Sequence, residues 1–434
     1  MPVLILDQPG STLGKERDML YVSVPPATRE NVPIVHLESV VVASRVQVTH
    51  DALMMLAERG IPVLFLEGSK PLATFNPFAA HGMVLTRRVQ ILAYIDWRGA
   101  HLAKAFVRAG LENKARLLLH LNKYLSRKRG GGGKKSGDIG TQTPEEETWD
   151  EGEELFEDFT GPDAPAPAPA PTPAAGEGTR QAMPSTSATS VNPASQVLVD
   201  AIGRIRDEVS LVDALDERAP GACADTVRFR LMGLEGEGAS AYFGALRSLL
   251  PSWAGFDGRN RRPPRDPFNA CLSYGYAVLE GAILTGIGAA GLEPFAGFLH
   301  ADRSGKPSLV LDLIEEFRQP VVDRVALRLF RRRQLQESHF DKQPGRVLFT
   351  EEGKRVLVGD LYQEIRHGAA QPGSGNRRKG KGAPGNSDTV AASNLGADKA
   401  DTGSFYRAAI GQARKLARFV LGQDPTYDPY LWKW

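Results

Sequence analysis

Acidic side chains recur at helical spacing between residues 309 and 318. Asp312, Glu315 and Glu316 are related as i, i+3 and i+4, so they share one face if this stretch is an α-helix. The opposite face would carry an apolar stripe that seats the helix in a core, formed by Val310, Leu313, Ile314 and Phe317. The pattern therefore predicts a helix that is buried on one side and presents three carboxylates on the other.

His300 precedes this stretch, at the end of the segment Gly297–His300 (Gly-Phe-Leu-His). Carboxylates and an imidazole together form a ligand set that holds divalent metal ions, so a metal centre is one interpretation. The other is structural: three acids on a polar helix face that is merely solvated, and a histidine packed in the core. Motifs elsewhere in the chain favour the metal centre.

The composition is that of a globular protein long enough for two domains, with 434 residues. The 53 basic and 51 acidic residues leave a net charge of only +2, which does not by itself indicate a nucleic-acid-binding protein. The balance is misleading, however, because nine of the acids lie in the run 144–159, which contains no basic residue.

The cysteines and the hydropathy bear on the cellular compartment of the protein. The two cysteines form no CxxC pair, which argues against a disulfide framework or a cysteine zinc site. The N-terminus lacks the features of a signal peptide, and we find no stretch that approaches the roughly 18 apolar residues needed for a membrane span. We therefore expect a soluble, cytoplasmic protein with no membrane contact.

The periodicity of the chain changes near residue 87 and divides it into two regions. Residues 1–80 are rich in β-branched runs and predict a small β-sheet domain, whereas 87–129 and 194–434 have the composition of helices. Two low-complexity insertions, 130–193 and 368–402, lack the apolar residues needed to offset chain entropy, and we expect them to be disordered. The predicted fold class is α+β: a small β-rich domain followed by a larger all-α catalytic domain.

Basic residues recur along the predicted helices between residues 87 and 127. They could follow a phosphate backbone, or they could simply be solvated surface groups. They are Arg87, Arg88, Arg98, Lys104, Arg108, Lys114 and Arg116.

Three further segments carry a recognisable combination of motifs. Residues 231–243 form a small-residue helix with Glu235 and Glu237, residues 259–276 form a basic loop that leads into a helix, and residues 297–318 contain the histidine and the acidic stretch. In this order they closely resemble the CRISPR-associated endonuclease/integrase family of spacer acquisition. Residues 46–65 also resemble the sheet-domain signature of that family.

The resemblance implies three metal ligands, Glu235, His300 and Glu315, which would bind Mg²⁺ or Mn²⁺ and be the catalytic residues. It implies a supporting role for Asp312, whereas Glu237 and Glu316 match no ligand position. No organic cofactor is implied. We expect phosphate contacts from the basic residues near these motifs, namely Arg259, Arg261, Arg262, Arg265, Lys306 and Arg318; Arg318 could instead form a structural ion pair with Glu315 or Asp312.

The function implied by the resemblance is insertion of short DNA fragments, the new spacers, into a CRISPR array. A 3′-hydroxyl would attack a phosphodiester, and water in its place would give nuclease activity. The implied partners are double-stranded DNA (spacer precursor and leader-repeat), a second copy of the chain joined through the β domain, and a small CRISPR adaptation protein. Two alternatives are a casposase-like transposon integrase, which would require an added DNA-binding module after residue 405, and a non-catalytic DNA-binding scaffold.

Overall fold

The computed structural model describes residues 3–26, 28–37, 39–67, 70–77, 83–127, 193–260, 263–367 and 405–433. The predicted insertions 130–193 and 368–402 lie outside these residues, apart from Pro193, which begins a helix. The strands are β1 Val3–Leu6, β2 Thr12–Glu16, β3 Met19–Val24, β4 Thr28–Val32, β5 Ser39–Val42, β6 Gln47–Val48, β7 Val63–Glu67, β8 Lys70–Phe75, β9 Phe340–Gln343 and β10 Arg346–Phe349. The α-helices are α1 His50–Glu58, α2 Val84–Ala93, α3 Trp97–Arg127, α4 Pro193–Asp213, α5 Ala224–Arg247, α6 Pro267–Ala289, α7 Ser308–Leu313, α8 Arg324–Arg331, α9 Glu351–His367 and α10 Phe405–Val420.

Two four-stranded sheets form the N-terminal region. The first has the order β1-β5-β7-β8, with β1, β5 and β7 parallel and β8 antiparallel to β7. The second has the order β4-β3-β2-β6, in which two antiparallel pairs are extended by β6 parallel to β2. Every residue of β5 (Ser-Val-Val-Val) is buried, as expected for a central strand of a parallel sheet. A separate apolar core lies around α1 and these sheets.

The larger region is helical and has its own core. Helices α3, α4 and α5 pack against one another, and α6 begins where the Asp266 carboxylate accepts a hydrogen bond from the backbone N–H of Asn269 at 2.8 Å. The predicted fold class, a small β-rich region followed by a larger helical one, is confirmed. The helical region is not entirely α, however, since β9 and β10 form a hairpin that buries Phe340 and Val347.

Helix α6 is the one described helix that is long and apolar enough, by length and composition, to cross a membrane. The expectation that no stretch approaches the length and hydropathy of a membrane span is therefore wrong for this helix. Its most apolar window is 61% buried within the fold. Burial of that kind is typical of a core helix, and here it lets α6 carry Ser273, Tyr276 and Glu280 to the cavity described below.

The acidic stretch is divided into three short helical segments and is not one continuous α-helix. Helix α7 ends at Leu313, a 3-10 turn covers Ile314–Glu316, and a π-helical turn begins at Arg318. The continuous α-helix predicted over 309–318 is therefore wrong, and Glu316 points away from its two acidic neighbours. All three carboxylates are buried, so the alternative of a solvated polar face is wrong as well.

The C-terminal segment 427–433 crosses the helical region beside this stretch. The Glu316 carboxylate accepts hydrogen bonds from the Tyr427 hydroxyl and from the backbone N–H of Tyr430, the latter at 2.7 Å. Asn113 of α3 donates its amide to the carbonyls of Glu316 (2.9 Å) and Tyr430 (3.1 Å) and accepts from the backbone N–H of Trp432 at 3.0 Å. Burial raises the pKa of Glu316 to about 7, although the hydrogen bonds that its carboxylate accepts from Tyr427 and Tyr430 oppose the shift. The segment, α3 and the acidic stretch form one hydrogen-bonded unit.

We expect Asn113→Ala to destabilise the protein. Asn113 is fully buried, and its removal leaves three backbone groups without their partner, for an estimated loss of about 2–4 kcal/mol in the free energy of unfolding. Denaturant unfolding of the full chain measures this loss. The control is Gln196→Ala, which removes one exposed side-chain hydrogen bond to Asp200 and should change stability by less than about 0.5 kcal/mol. Equal stabilities for the two variants would contradict the prediction.

Candidate active site

A cavity of about 1090 Å³ opens between α3, α5, α6 and the acidic stretch. Charged groups of both signs line it. The acids are Glu235, Asp257, Glu280 and Glu315, and the bases are Lys114, Arg247, Arg259, His300, Lys306 and Arg318. The three predicted metal ligands, which lie far apart in the sequence, therefore face one space.

Asp312 holds His300 at the edge of this cavity. Its carboxylate is fully buried and accepts hydrogen bonds from the backbone N–H groups of Phe298 (2.6 Å), Leu299 (3.0 Å) and His300 (2.8 Å). The same carboxylate lies 2.8 Å from Nδ1 of the His300 ring. Because an ionised carboxylate only accepts hydrogen bonds, the proton of a neutral imidazole belongs on Nδ1. Nε2 then carries the lone pair that could bind a metal ion.

Gly297 lets the segment before His300 approach this carboxylate. A Cβ added to Gly297 would lie 2.7 Å from Cβ of Ser308 and 2.9 Å from Oδ2 of Asp312. Real Cβ atoms do not approach other atoms so closely, since the interior is already close-packed. The glycine of the Gly-Phe-Leu-His motif is thus required by the close packing of this segment on α7.

Glu315 contributes a buried carboxylate to the cavity. The 3-10 turn after α7 directs it inward, and its side chain is 4% exposed. One guanidinium nitrogen of Arg318 forms an ion pair with Oε1, whereas Oε2 has no hydrogen-bond partner within the part of the chain that the structure describes. A buried carboxylate oxygen without a hydrogen-bond partner is energetically unfavourable, and it is available to bind a cation.

Glu235 approaches from the opposite side, on α5. Its side chain is 27% exposed, and Oε1 lies 3.2 Å from Nζ of Lys114, an α3 lysine whose side chain is only 3% exposed. Glu237, two residues later, is exposed and does not line the cavity. The choice of Glu235 over Glu237 as a candidate ligand stays a prediction, and this geometry supports it.

The donor set fits a divalent cation, although the side chains are not arranged as a finished metal cage. Glu235, His300 and Glu315 each contact a different protein partner, and no group of three or more His, Cys, Asp or Glu side chains within the described ranges is close enough to hold an ion. Two carboxylates and an imidazole suit Mg²⁺ or Mn²⁺, and the unpartnered Oε2 of Glu315 points to the same chemistry.

A buried polar network that the sequence analysis missed lies beneath the cavity. Asp323 accepts hydrogen bonds from the hydroxyls of Tyr276 (2.6 Å) and Tyr242 (2.8 Å). Burial raises the pKa of Asp323 to about 6, although both hydroxyls oppose the shift. The guanidinium carbons of Arg318 and Arg259 lie 5.1 and 5.5 Å from the centre of the Tyr276 ring. Both arginines are therefore within the distance of a cation–π contact with this ring. No local motif signals this network, because its members lie on three separate helical elements.

The residues predicted to bind DNA occupy different environments. Arg259 and Lys306 line the cavity, as does Arg318. Arg259 is also held from α6, since its guanidinium donates to Oδ1 of Asn269 at 2.8 Å. Arg265 is exposed and does not line the cavity. Arg261 and Arg262 lie outside the described residues.

Several basic residues of α3 form contacts within the fold. Lys104 forms an ion pair with Glu217 at 2.7 Å, and Arg108 forms one with Asp213 at 2.8 Å. Arg116 donates to the carbonyl of Trp432 at 2.8 Å. Whether the basic residues of these helices follow a phosphate backbone stays a prediction, and among those on α3 it is Lys114 that faces the cavity.

The sequence matches one protein family over most of its described length. The family model for the CRISPR associated protein Cas1 matches residues 4–137 and 192–363. A CRISPR-associated endonuclease Cas1 of Thermus thermophilus is 48% identical over 169 residues, which are 39% of this chain and 52% of that protein. Another from Archaeoglobus fulgidus is 28% identical over 368 residues, 83% of this chain and 88% of that protein.

Solved structures of similar fold include two assemblies. One is a casposase bound to an integration product, with a TM-score of 0.59 and 17% identity over 100% of this chain and 95% of that one. Another is a Cas6-RT-Cas1–Cas2 complex, with a TM-score of 0.59 and 19% identity over 99% of this chain and 36% of that one. At these identities the likeness shows the fold alone.

We expect Gly297→Ala to destabilise the protein by about 1–3 kcal/mol, because the methyl group would displace Ser308 or Asp312 from the packing around His300. The matched control is Gly203→Ala on α4, where an added Cβ meets nothing within 4 Å. That change should stabilise the helix by about 0.5–1 kcal/mol. Chemical denaturation of the two variants measures both effects, and a stabilised Gly297→Ala protein would refute the close-packing argument.

Proposed function

This chain belongs to the Cas1 family of CRISPR-associated proteins, and from that premise we propose that it is a metal-dependent DNA endonuclease and integrase. Its substrates would be short DNA duplexes, which it would insert as new spacers into a CRISPR array. The observation that carries the proposal is the convergence of Glu235, His300 and Glu315 on one cavity that is also lined by arginine and lysine side chains.

The reaction is a transesterification at phosphorus. The 3′-hydroxyl oxygen of the incoming DNA end forms a bond to a phosphorus of the target strand, and the bond from that phosphorus to one of its two bridging oxygens breaks. The attacking hydroxyl loses its proton, and the leaving oxygen takes up a proton to become a hydroxyl at the end of the displaced strand. Water in place of the hydroxyl gives hydrolysis, so one site accounts for both activities. Glu235, His300 and Glu315 would hold Mg²⁺ or Mn²⁺. When bound, that ion supplies Lewis-acid polarisation of the phosphate and stabilises charge on the leaving oxygen.

The remaining residues position these groups. Asp312 orients the His300 ring through Nδ1 and so directs Nε2 towards the cavity. Arg259 and Lys306 neutralise the phosphates that approach the site, which positions DNA without reading its sequence. The cavity is large enough and polar enough to admit a sugar–phosphate backbone, with a volume of about 1090 Å³.

The proposed partners are double-stranded DNA, a second copy of the chain and a small CRISPR adaptation protein. Two observations support them: proteins of similar fold were solved on an integration product and in a complex with Cas2. Large apolar side chains are also exposed in the N-terminal region and in and just after α2, in the manner of protein interfaces. They include Val35 in a 3-10 turn, Leu72 on β8, Leu85 on α2 and Ile95 after α2, at 65–77%. We propose that this protein acts in the cytoplasm.

The casposase-like alternative shares the fold, but the family match is to Cas1 proteins. A non-catalytic scaffold would bind DNA without strand transfer, and the reaction of a DNA end with a plasmid target in the presence and absence of Mn²⁺ distinguishes it from an integrase.

We expect Glu235→Ala, His300→Ala and Glu315→Ala each to lower the rate of strand transfer at least about 100-fold, because each change removes a metal ligand. Glu237→Ala is the matched control, since this residue lies on the same helix outside the cavity, and it should retain activity. Circular dichroism and gel filtration verify that fold and dimer persist. Full strand transfer by His300→Ala, or loss only with Glu237→Ala, would show that the ligand assignment is wrong.

Removal of divalent ions should abolish strand transfer and leave the fold intact. With EDTA in excess, we expect no product from a labelled DNA end, and excess Mn²⁺ or Mg²⁺ should restore it, because the proposed chemistry needs the Lewis acid. Unchanged transfer in EDTA after exhaustive dialysis would contradict the metal dependence.

A further inference from the structure

Lys114 is a buried lysine that faces both candidate ligand carboxylates. It lies on α3 with its side chain 3% exposed, and Nζ is 3.2 Å from Oε1 of Glu235. One turn earlier, a Cβ added to Gly110 would lie 3.6 Å from both Nζ of Lys114 and Oε2 of Glu315. Lysines are rarely buried to this extent unless they are paired, so its position beside these acids requires an explanation.

Both candidate carboxylates are already paired with a cation of the chain. Lys114 pairs with Glu235, and Arg318 pairs with Glu315. A divalent ion held by the same carboxylates would repel both cations strongly across a few ångström of partly buried space. The two pairs are therefore an arrangement of the site that competes with metal binding.

The two cations differ in how readily they can move. Arg318 is held by its ion pair with Glu315 and by a cation–π contact with Tyr276, and its guanidinium is a planar, rigid group. Lys114 is a point charge on a flexible four-carbon stem, and it lines the same cavity as Arg259 and Lys306. It is the cation better suited to exchange one anion for another.

We infer that Lys114 is a charge-exchange residue: it pairs with Glu235 while the carboxylate binds no metal, and it turns to a DNA phosphate once Glu235 binds a divalent ion. This inference rests on the proposed function. Among the seven basic residues that could follow a phosphate backbone, it singles out Lys114 and makes its phosphate contact depend on the bound metal. It also gives a role to the α3 lysine that lines the cavity, whereas Lys104 and Arg108 of the same helix pair with Glu217 and Asp213 away from it.

The first test is Mn²⁺ binding by isothermal titration calorimetry, without DNA. Lys114→Met removes the competing cation and should tighten Mn²⁺ binding about tenfold. Lys104→Met is the matched control, because it breaks another lysine–glutamate pair on α3, at 2.7 Å from Glu217 and away from the cavity. It should leave Mn²⁺ affinity unchanged within about twofold. Thermal unfolding of each protein checks that it is folded, and Lys114→Gln carries the same expectation if the methionine variant does not fold.

The second test is the salt dependence of DNA binding, with a duplex that ends in dideoxynucleotides and so offers no attacking hydroxyl. With Mn²⁺ bound, Lys114→Met should reduce the slope of log affinity against log salt by about 0.9, the loss of one phosphate contact. Without Mn²⁺ the slopes of wild type and variant should coincide, because Lys114 is then paired with Glu235.

The outcomes separate this inference from the proposed function. Failure of the wild-type protein to bind Mn²⁺ overturns the proposed function and the inference with it. Wild-type binding with an affinity that Lys114→Met leaves unchanged or weakens overturns the inference alone. A slope that falls equally with and without Mn²⁺ also overturns it, because Lys114 would then contact DNA whether or not Glu235 is available to it.

Discussion

One buried carboxylate determines the geometry of the candidate site. Asp312 accepts three consecutive backbone N–H groups and lies 2.8 Å from the His300 ring, and a buried charge is tolerated only when it is compensated in this way. The contact joins the segment ending at His300 to α7, and the turn that follows α7 carries Glu315. Two of the three candidate ligands are thus positioned by one interaction, and the orientation of the imidazole follows from it.

The third candidate ligand depends on the packing of long helices. Glu235 on α5 meets the acidic stretch only because α5 packs on α3, and Lys114 of α3 contacts it directly. The next residue along α3, Asn113, binds the C-terminal segment and the acidic stretch from a neighbouring face of the helix. Helix α3 therefore connects the candidate ligand on α5, the acidic stretch and the C-terminal segment.

The charges of the cavity are balanced within the protein. Each candidate carboxylate has a cation or a proton donor beside it, and Tyr276 holds two arginines on its ring. A site that binds both a divalent ion and a polyanion requires such balance, since unpaired carboxylates would repel DNA and unpaired cations would repel the metal.

The sequence alone determined the α+β class, the family and the residue types of the candidate ligand set, because these depend on local periodicity and on short ordered motifs. It did not determine where α7 ends: an ideal helix placed Glu316 with Asp312 and Glu315, whereas the tertiary contacts of Glu316 with Tyr427 and Tyr430 are made from a 3-10 turn. Nor did it distinguish Lys114 from the other basic residues of α3, since its partner lies 121 positions away. The packing of helices against one another decides which charged side chain is buried and which residue pairs with it. The spacing of residues along one helix does not show which residues of another helix pack against it.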